Sequence, residues 1–232
     1  MSDKIDSDDR RPQLSGSPII PFPGESLRGL VARTCFEKGL LTTYSLLGPI
    51  GLEHRNRVRI AEGNDVKSED LAYALKLPEQ EILRRKYEQL GLDHEDFFGV
   101  QLHKNRIESR KRRFAPAALL TSSHHRAVWE LRDLPFCLET WDRLRDTCPC
   151  PLEGSPTIQQ WTRTGSRIGE CDKCGTSFTT LSSEFVPVGM RDVLSILHEL
   201  LSPEPGNIRN LAKFLPAAIA DADRGRIYDC IR

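Results

Sequence analysis

The chain has no surplus of charge: 33 lysines and arginines stand against 33 aspartates and glutamates over 232 residues. No global field therefore draws it onto nucleic acid or a membrane, and any nucleic-acid contact has to come from local clusters. Aromatic residues are scarce, at 7%, while charged residues are plentiful. That composition suits small helical modules better than one large sheet-based core. There is no internal repeat, no long low-complexity tract and no apolar run long enough to span a bilayer. A secretory leader is missing too, and the cysteine count is odd, at 7. Both argue against a disulfide framework and for a reducing, cytoplasmic setting. Catalytic signatures are absent as well: no Gly-x4-Gly-Lys phosphate loop, no Gly-x-Ser-x-Gly elbow and no His-Glu-x-x-His pair. Asp65, Asp70, Asp93 and Asp96 read as helix-start and surface acids, not as a magnesium-binding set.

What the chain does have is two close cysteine pairs, Cys148-Pro149-Cys150 and Cys171-Asp172-Lys173-Cys174. Two pairs flanking a strand-like stretch are the pattern of a zinc ribbon, and four thiolates leave a tetrahedral ion no open position. The expected cofactor is thus a structural Zn2+ on Cys148, Cys150, Cys171 and Cys174. Gly175 is suited to the positive φ that such a knuckle needs. The Cys-x-Cys arc is tighter than usual, so Cys137, and less so His124 and His125, stand as substitute ligands. Thr157 to Thr162 alternates like a strand, Thr164-Gly165-Ser166 reads as its turn, and Arg167 to Glu170 as the return strand. Trp161 is expected to cover the metal.

The rest of the chain reads as helical. Residues 1–18 are a disordered lead-in, and Ile19 to Pro23 run extended. A helix opens at Glu25-Ser26 and ends at Gly39, and a shorter one spans Thr42 to Leu47. Residues 68–90 suggest two helices about Lys76-Leu77-Pro78, with Ser68 as the first N-cap and Arg84, Arg85 and Lys86 on the second. That is the outline of a helix-turn-helix, or equally of an ordinary helical hairpin with a solvated basic face. A basic run carries Lys104, Arg106, Arg110, Lys111, Arg112 and Arg113. It reads as a solvated loop or a phosphate-contacting one. Pro116, Ser122 and Ser123 break the periodicity, Leu138, Trp141 and Leu144 line a short helix, and Met190 to Leu201 stripe another that stops at Ser202-Pro203. Asn207 caps one more. Cys35 reads as a small core residue.

Three landmarks in order resemble the TniQ family of transposition proteins: Pro23 to Leu27 (PGESL), His124 to Leu144 (HHRAVWELRDLPFCLETWDRL), and the cysteine pairs. The resemblance covers roughly residues 19 to 180. It implies a helix-turn-helix-containing region joined to zinc-ribbon-like modules. It also implies an adaptor role in target selection, with an AAA+ transposition ATPase and, in RNA-guided systems, a CRISPR effector as partners. Such proteins commonly hold two zinc ions; here only Cys137 remains near the first site, with Thr140 where a histidine would fall, and packing by Trp129, Phe136 and Trp141 takes over.

The fold expected is mostly α with a small β zinc ribbon: a helix-turn-helix-containing domain at 19–113, a zinc-ribbon-like module at 114–182 and a helical segment at 183–232. The function expected is a non-catalytic, DNA-targeting adaptor that binds DNA weakly and by charge, with no membrane association and a homodimer left open. A zinc-dependent nuclease or hydrolase and a helix-turn-helix transcriptional regulator are the alternatives.

Overall fold

A computed structural model describes residues 16–51, 59–62, 66–150, 154–161, 167–201 and 224–231. The first helix, α1 (Leu27–Glu37), is the axis of the N-terminal half. Ser26 caps it by accepting the Gly29 amide, and Leu27, Leu30, Val31 and Cys35 are buried. Burial extends to Arg28 and Arg33, so α1 is enclosed on nearly every side and its cations require partners inside the fold. Arg33 finds Glu25 in a two-pronged contact at 2.8 Å on each prong. The short helix expected at Thr42 to Leu47 forms as α2 (Thr43–Leu47), with Thr42 as its cap.

Helices α3 (Ser68–Leu75) and α4 (Glu79–Leu83) form the expected hairpin, but with two differences. Ser68 is the first helical residue; Lys67 precedes it without a side-chain cap. The second helix is only 5 residues long, or about 7 Å at 1.5 Å per residue, too short to lie along a major groove. Leu83 is exposed, and Tyr87 is buried beyond the helix end. Directly after Tyr87 the chain enters a small sheet where the pattern of residues suggested continued helix.

That sheet is an antiparallel meander of β1 (Glu88–Gln89), β2 (His94–Phe97) and β3 (Val100–His103). Phe98 and Gly99 close the β2–β3 hairpin with φ of 53° and 80°, the left-handed pair that a two-residue turn demands. The Asp96 carboxylate accepts the Gly99 amide across it. Phe97, Val100 and Leu102 point into the core. The architecture is therefore mixed α/β, and the basic run starts at a strand end.

The second half is irregular. Pro116 takes the first position of α5 (Pro116–Thr121), where a missing N–H costs nothing, so it starts a helix instead of breaking one. No helix forms at Leu138 to Leu144. Phe136 bridges Arg143 across a tight turn in which Trp141 adopts φ of 63°. Phe136 stacks on Trp141 there, and buried Asp142 accepts the Ala117 amide at 2.8 Å and the Thr140 hydroxyl at 2.5 Å.

The ribbon hairpin pairs β4 (Thr147–Cys148) with β5 (Thr157–Ile158). The strand partner of Thr157 is thus the first cysteine pair, and Arg167 to Glu170 holds only a single bridge, to Ser177; the expected turn at 164–166 lies outside the described residues. A third chain segment joins this ladder. Arg112 donates its amide to the Gln159 carbonyl, Trp161 donates to that of Arg110, and Phe114 and Arg145 exchange both bonds. Residues 110–114, the end of the basic run and Phe114, thus pair with the ribbon, and the expected boundary between 113 and 114 lies along that ladder.

Helix α6 (Val188–Leu201) follows, and α7 (Arg224–Ile231) packs on β3, with Arg224 donating to the Phe98 carbonyl. Asn207 lies outside the described residues. Among those residues, no helix is long and apolar enough to cross a membrane.

Candidate metal centre

Cys148 and Cys150 arrive on and just after β4, and Cys171 and Cys174 on the knuckle that Gly175 turns with φ of 70°. The Gly175 amide donates to the Cys171 carbonyl and the Cys171 amide to that of Thr176, so the knuckle's shape is set by its own backbone. All four sulfurs lie within 4.8 Å of one another. Cys148 and Cys174 are 3.7 Å apart and Cys150 and Cys171 3.5 Å. Sulfurs at the corners of a tetrahedron of about 2.3 Å bonds stand about 3.8 Å apart, so the set fits zinc. A disulfide would need about 2.05 Å. Pro149 makes the short arc workable: the Cys150 amide folds back onto the Cys148 carbonyl at 2.8 Å, which turns both thiols the same way.

The sulfurs sit in unlike surroundings. Burial pushes the Cys148 thiol up, while hydrogen bonding with Thr176 brings Cys174 down to about 6. Gln159, buried, donates its amide to Cys171 at 3.4 Å. The substitute ligands stay elsewhere. Cys137 is buried in the Phe136–Arg143 turn, His124 meets the Ser122 hydroxyl, and His125 meets the Ser26 hydroxyl. Trp161 packs edge-on against His125, with ring centroids 4.8 Å apart.

The basic side chains are mostly engaged within the fold. Arg84 and Arg85 both pair with Glu81, at 3.1 and 2.7 Å, and Lys86 donates to the Val66 carbonyl. Lys104 pairs with Asp93, Arg106 with Asp133 and Lys111 with Asp146. Arg113 donates to the carbonyls of Leu131 and Leu134. Arg112 is 1% exposed and reaches Gln159, the Glu170 carbonyl and Asp172. Arg112, grouped in sequence with the solvated or phosphate-contacting cations, is instead enclosed under the ribbon. Arg84, Lys104 and Arg110 are the members that face solvent.

The stretches Pro23–Leu27 and His124–Leu144 meet in one buried seam. Ser26 donates its amide to the His125 carbonyl, Ala127 donates to that of Gly24, and Glu25 bridges Arg126. Phe22 stacks on His124 with centroids 4.7 Å apart. The Ser26 hydroxyl accepts the Gly29 amide at 3.0 Å and meets His125 Nδ1 at 2.8 Å, so one side chain serves both the helix cap and the seam. Burial holds both histidines down, His124 to about 4. Below the seam, Arg28 pairs with both Glu62 and Glu130, and the Tyr87 hydroxyl donates to Glu130 at 2.8 Å. Burial alone would lower the Arg28 pKa, but Glu130 and Glu62 more than offset it and keep the guanidinium charged.

The TniQ family profile matches residues 19–139, just over half of the chain and both sides of that seam. The chain belongs to the TniQ family. The match ends before Cys148, so the sulfur cluster lies in the part that the TniQ profile does not cover. Comparison with individual curated proteins gives no match. Membership associates the chain with DNA transposition. Sequence reasoning missed Arg28, Glu130 and Gln159, and it grouped Arg112 with the solvated or phosphate-contacting cations beside it. Arg28 and Glu130 carried a faint signal as charges within apolar stretches, Arg28 in α1 and Glu130 in VWEL; Gln159 carried none.

Proposed function

We propose that this TniQ protein is a non-catalytic targeting adaptor of DNA transposition, built around a structural zinc on Cys148, Cys150, Cys171 and Cys174. The observation that carries the proposal is the closed four-sulfur cluster in a TniQ chain. Four protein sulfurs fill a tetrahedral ion and leave no position for the water a hydrolase needs, which weighs against the nuclease reading. Bound zinc supplies cross-linking alone, tying β4 to the knuckle, where little apolar core is available to do so. By family resemblance the partners are an AAA+ transposition ATPase and, in RNA-guided systems, a CRISPR effector. DNA contact is weak and electrostatic and rests on Arg84, Lys104 and Arg110, the members of the two basic clusters exposed to solvent. The five-residue α4 gives little support to a transcriptional regulator reading sequence through a recognition helix.

Metal analysis and duplex binding at two salt concentrations, with the ATPase of the same transposon present or absent, test this reading. The expected result is one zinc per chain, lost in Cys174→Ser, and duplex affinity that rises when the ATPase is added. Arg110→Ala should reduce the salt slope by about one unit without changing sequence preference. A chain that neither touches duplex at low salt nor associates with the ATPase is not an adaptor of this kind. Metal-dependent DNA cleavage would revive the enzyme.

A further inference from the structure

Arg112 is the last residue one would choose to bury in a run of six cations, yet its guanidinium is enclosed at the base of the ribbon. Its Nη2 donates to Gln159 Oε1 at 3.1 Å, to the Glu170 carbonyl at 2.8 Å and to Asp172 Oδ1 at 2.9 Å. Glu170 and Asp172 flank Cys171, so one guanidinium grips the knuckle and Gln159 together. An arginine can only donate, so it fixes which end of the Gln159 amide faces it. The oxygen points to Arg112, and Nε2 is left to face the Thr157 carbonyl at 3.1 Å and Cys171 Sγ at 3.4 Å. The backbone enforces the same arrangement, because the Arg112 amide donates to the Gln159 carbonyl at 3.0 Å.

Four thiolates around a dication carry a net charge of minus two. In a buried site that charge needs nearby donors and cations. We propose that Arg112 and Gln159 form a relay that governs metal retention: Arg112 orients Gln159 and pins the knuckle on both sides of Cys171 through Glu170 and Asp172, and the Gln159 amide holds the Cys171 sulfur by an N–H···S bond. Both are positioning residues, and the inference rests on the metal reading of the same four cysteines. The relay ties the centre to the segment that leaves β3 through Arg112. Arg112 thus serves the ribbon and its knuckle from within the fold.

Full-length protein loaded with Co2+ provides the test, because sulfur-to-cobalt charge-transfer bands report electron density on sulfur directly. Wild type, Gln159→Leu, Arg112→Met and Arg112→Lys would be compared for band position and for the rate of metal transfer to a competing chelator. Gln159→Leu keeps the backbone ladder and the side-chain bulk. It should still bind one Co2+, shift the bands to lower energy and release metal about 10–100-fold faster, the usual cost of losing a partner of a ligand. Arg112→Met should shift the bands in the same direction, and Arg112→Lys, which keeps the charge, should recover part of the rate. If Gln159→Leu and Arg112→Met each bind one Co2+ with wild-type bands and rates within twofold, the relay is wrong and the metal reading stands. A wild-type protein that takes up no Co2+ overturns the metal reading itself. A role for Arg112 in folding alone would lower stability in Arg112→Met while leaving the Gln159→Leu bands in place, and that result also overturns the relay.

Discussion

Gly29 provides a sharp test of the seam, because two well-characterised effects oppose each other there. It is the third residue of α1, and its amide caps onto Ser26. In an exposed helix, replacing glycine by alanine is worth about 0.5–1 kcal/mol of added stability, mainly through the unfolded chain. A Cβ on Gly29, however, would stand 2.8 Å from His125 Cβ, 3.0 Å from Ser26 Oγ and 3.3 Å from the His125 carbonyl oxygen. None of these is the far end of a flexible chain: His125 is buried against Trp129 and Trp161, and Ser26 is the helix cap. Overpacking of that kind costs about 1–3 kcal/mol, so the steric term wins and Gly29→Ala should lose about 1–2 kcal/mol net. Gly189, in the first turn of α6, has nothing within 4 Å of its would-be Cβ, so Gly189→Ala should gain a few tenths to about 1 kcal/mol. At this chain length 1 kcal/mol moves the melting temperature by about 2–4 °C. Urea and thermal unfolding followed by tryptophan fluorescence read both, since Trp129 is buried at the seam. Equal or greater stability of Gly29→Ala relative to wild type would refute the close approach of α1 to His125.

Two further outcomes concern buried charge. Arg28 holds two carboxylates, so Arg28→Met leaves Glu62 and Glu130 without their cation and should cost about 3–5 kcal/mol; a loss under 1 kcal/mol in denaturant titration would mean the network is not formed. Glu95 is raised to about 7 by burial and the neighbouring Glu62, against the partial relief that Arg59 gives. With an unfolded value near 4.5, the folded state binds more protons between these limits, so the stability Glu95 allows is full below 4.5 and falls as pH rises to about 7. Glu95→Gln removes that loss: its advantage over wild type should grow from pH 4.5 to 7 and level off at no more than about 3 kcal/mol, and a pH-independent difference would contradict the assignment.

How far the sequence disclosed this molecule depends on where its information is local. Helices α1 and α2 were legible because caps and stops are neighbours in sequence: Ser26 and Thr42 each accept an amide three residues on. The sulfur cluster was legible for the same reason, since each pair closes its own turn. The meander was missed because its signal, Phe98-Gly99, is a turn that takes a left-handed aromatic residue instead of asparagine or aspartate. The helix expected at Leu138 to Leu144 failed because its apolar spacing was real but Trp141, left-handed, and Asp142, held by Ala117 and Thr140, bind the chain into a turn.

The basic run shows a deeper limit. Reading Lys104 to Arg113 as solvated or phosphate-binding treats each cation as though water were its alternative. Whether an arginine has an internal acceptor depends on residues far along the chain, here Asp133, Asp146, Gln159 and Asp172. Most of the run lies against the ribbon and the 127–134 segment, where carbonyls and carboxylates face it. Each cation drawn inward is met by a carboxylate or a carbonyl, as burial of its charge requires. Composition registers a balance of charge, but only the fold shows that Arg112 is enclosed beneath the ribbon while Arg110, two residues earlier, faces solvent.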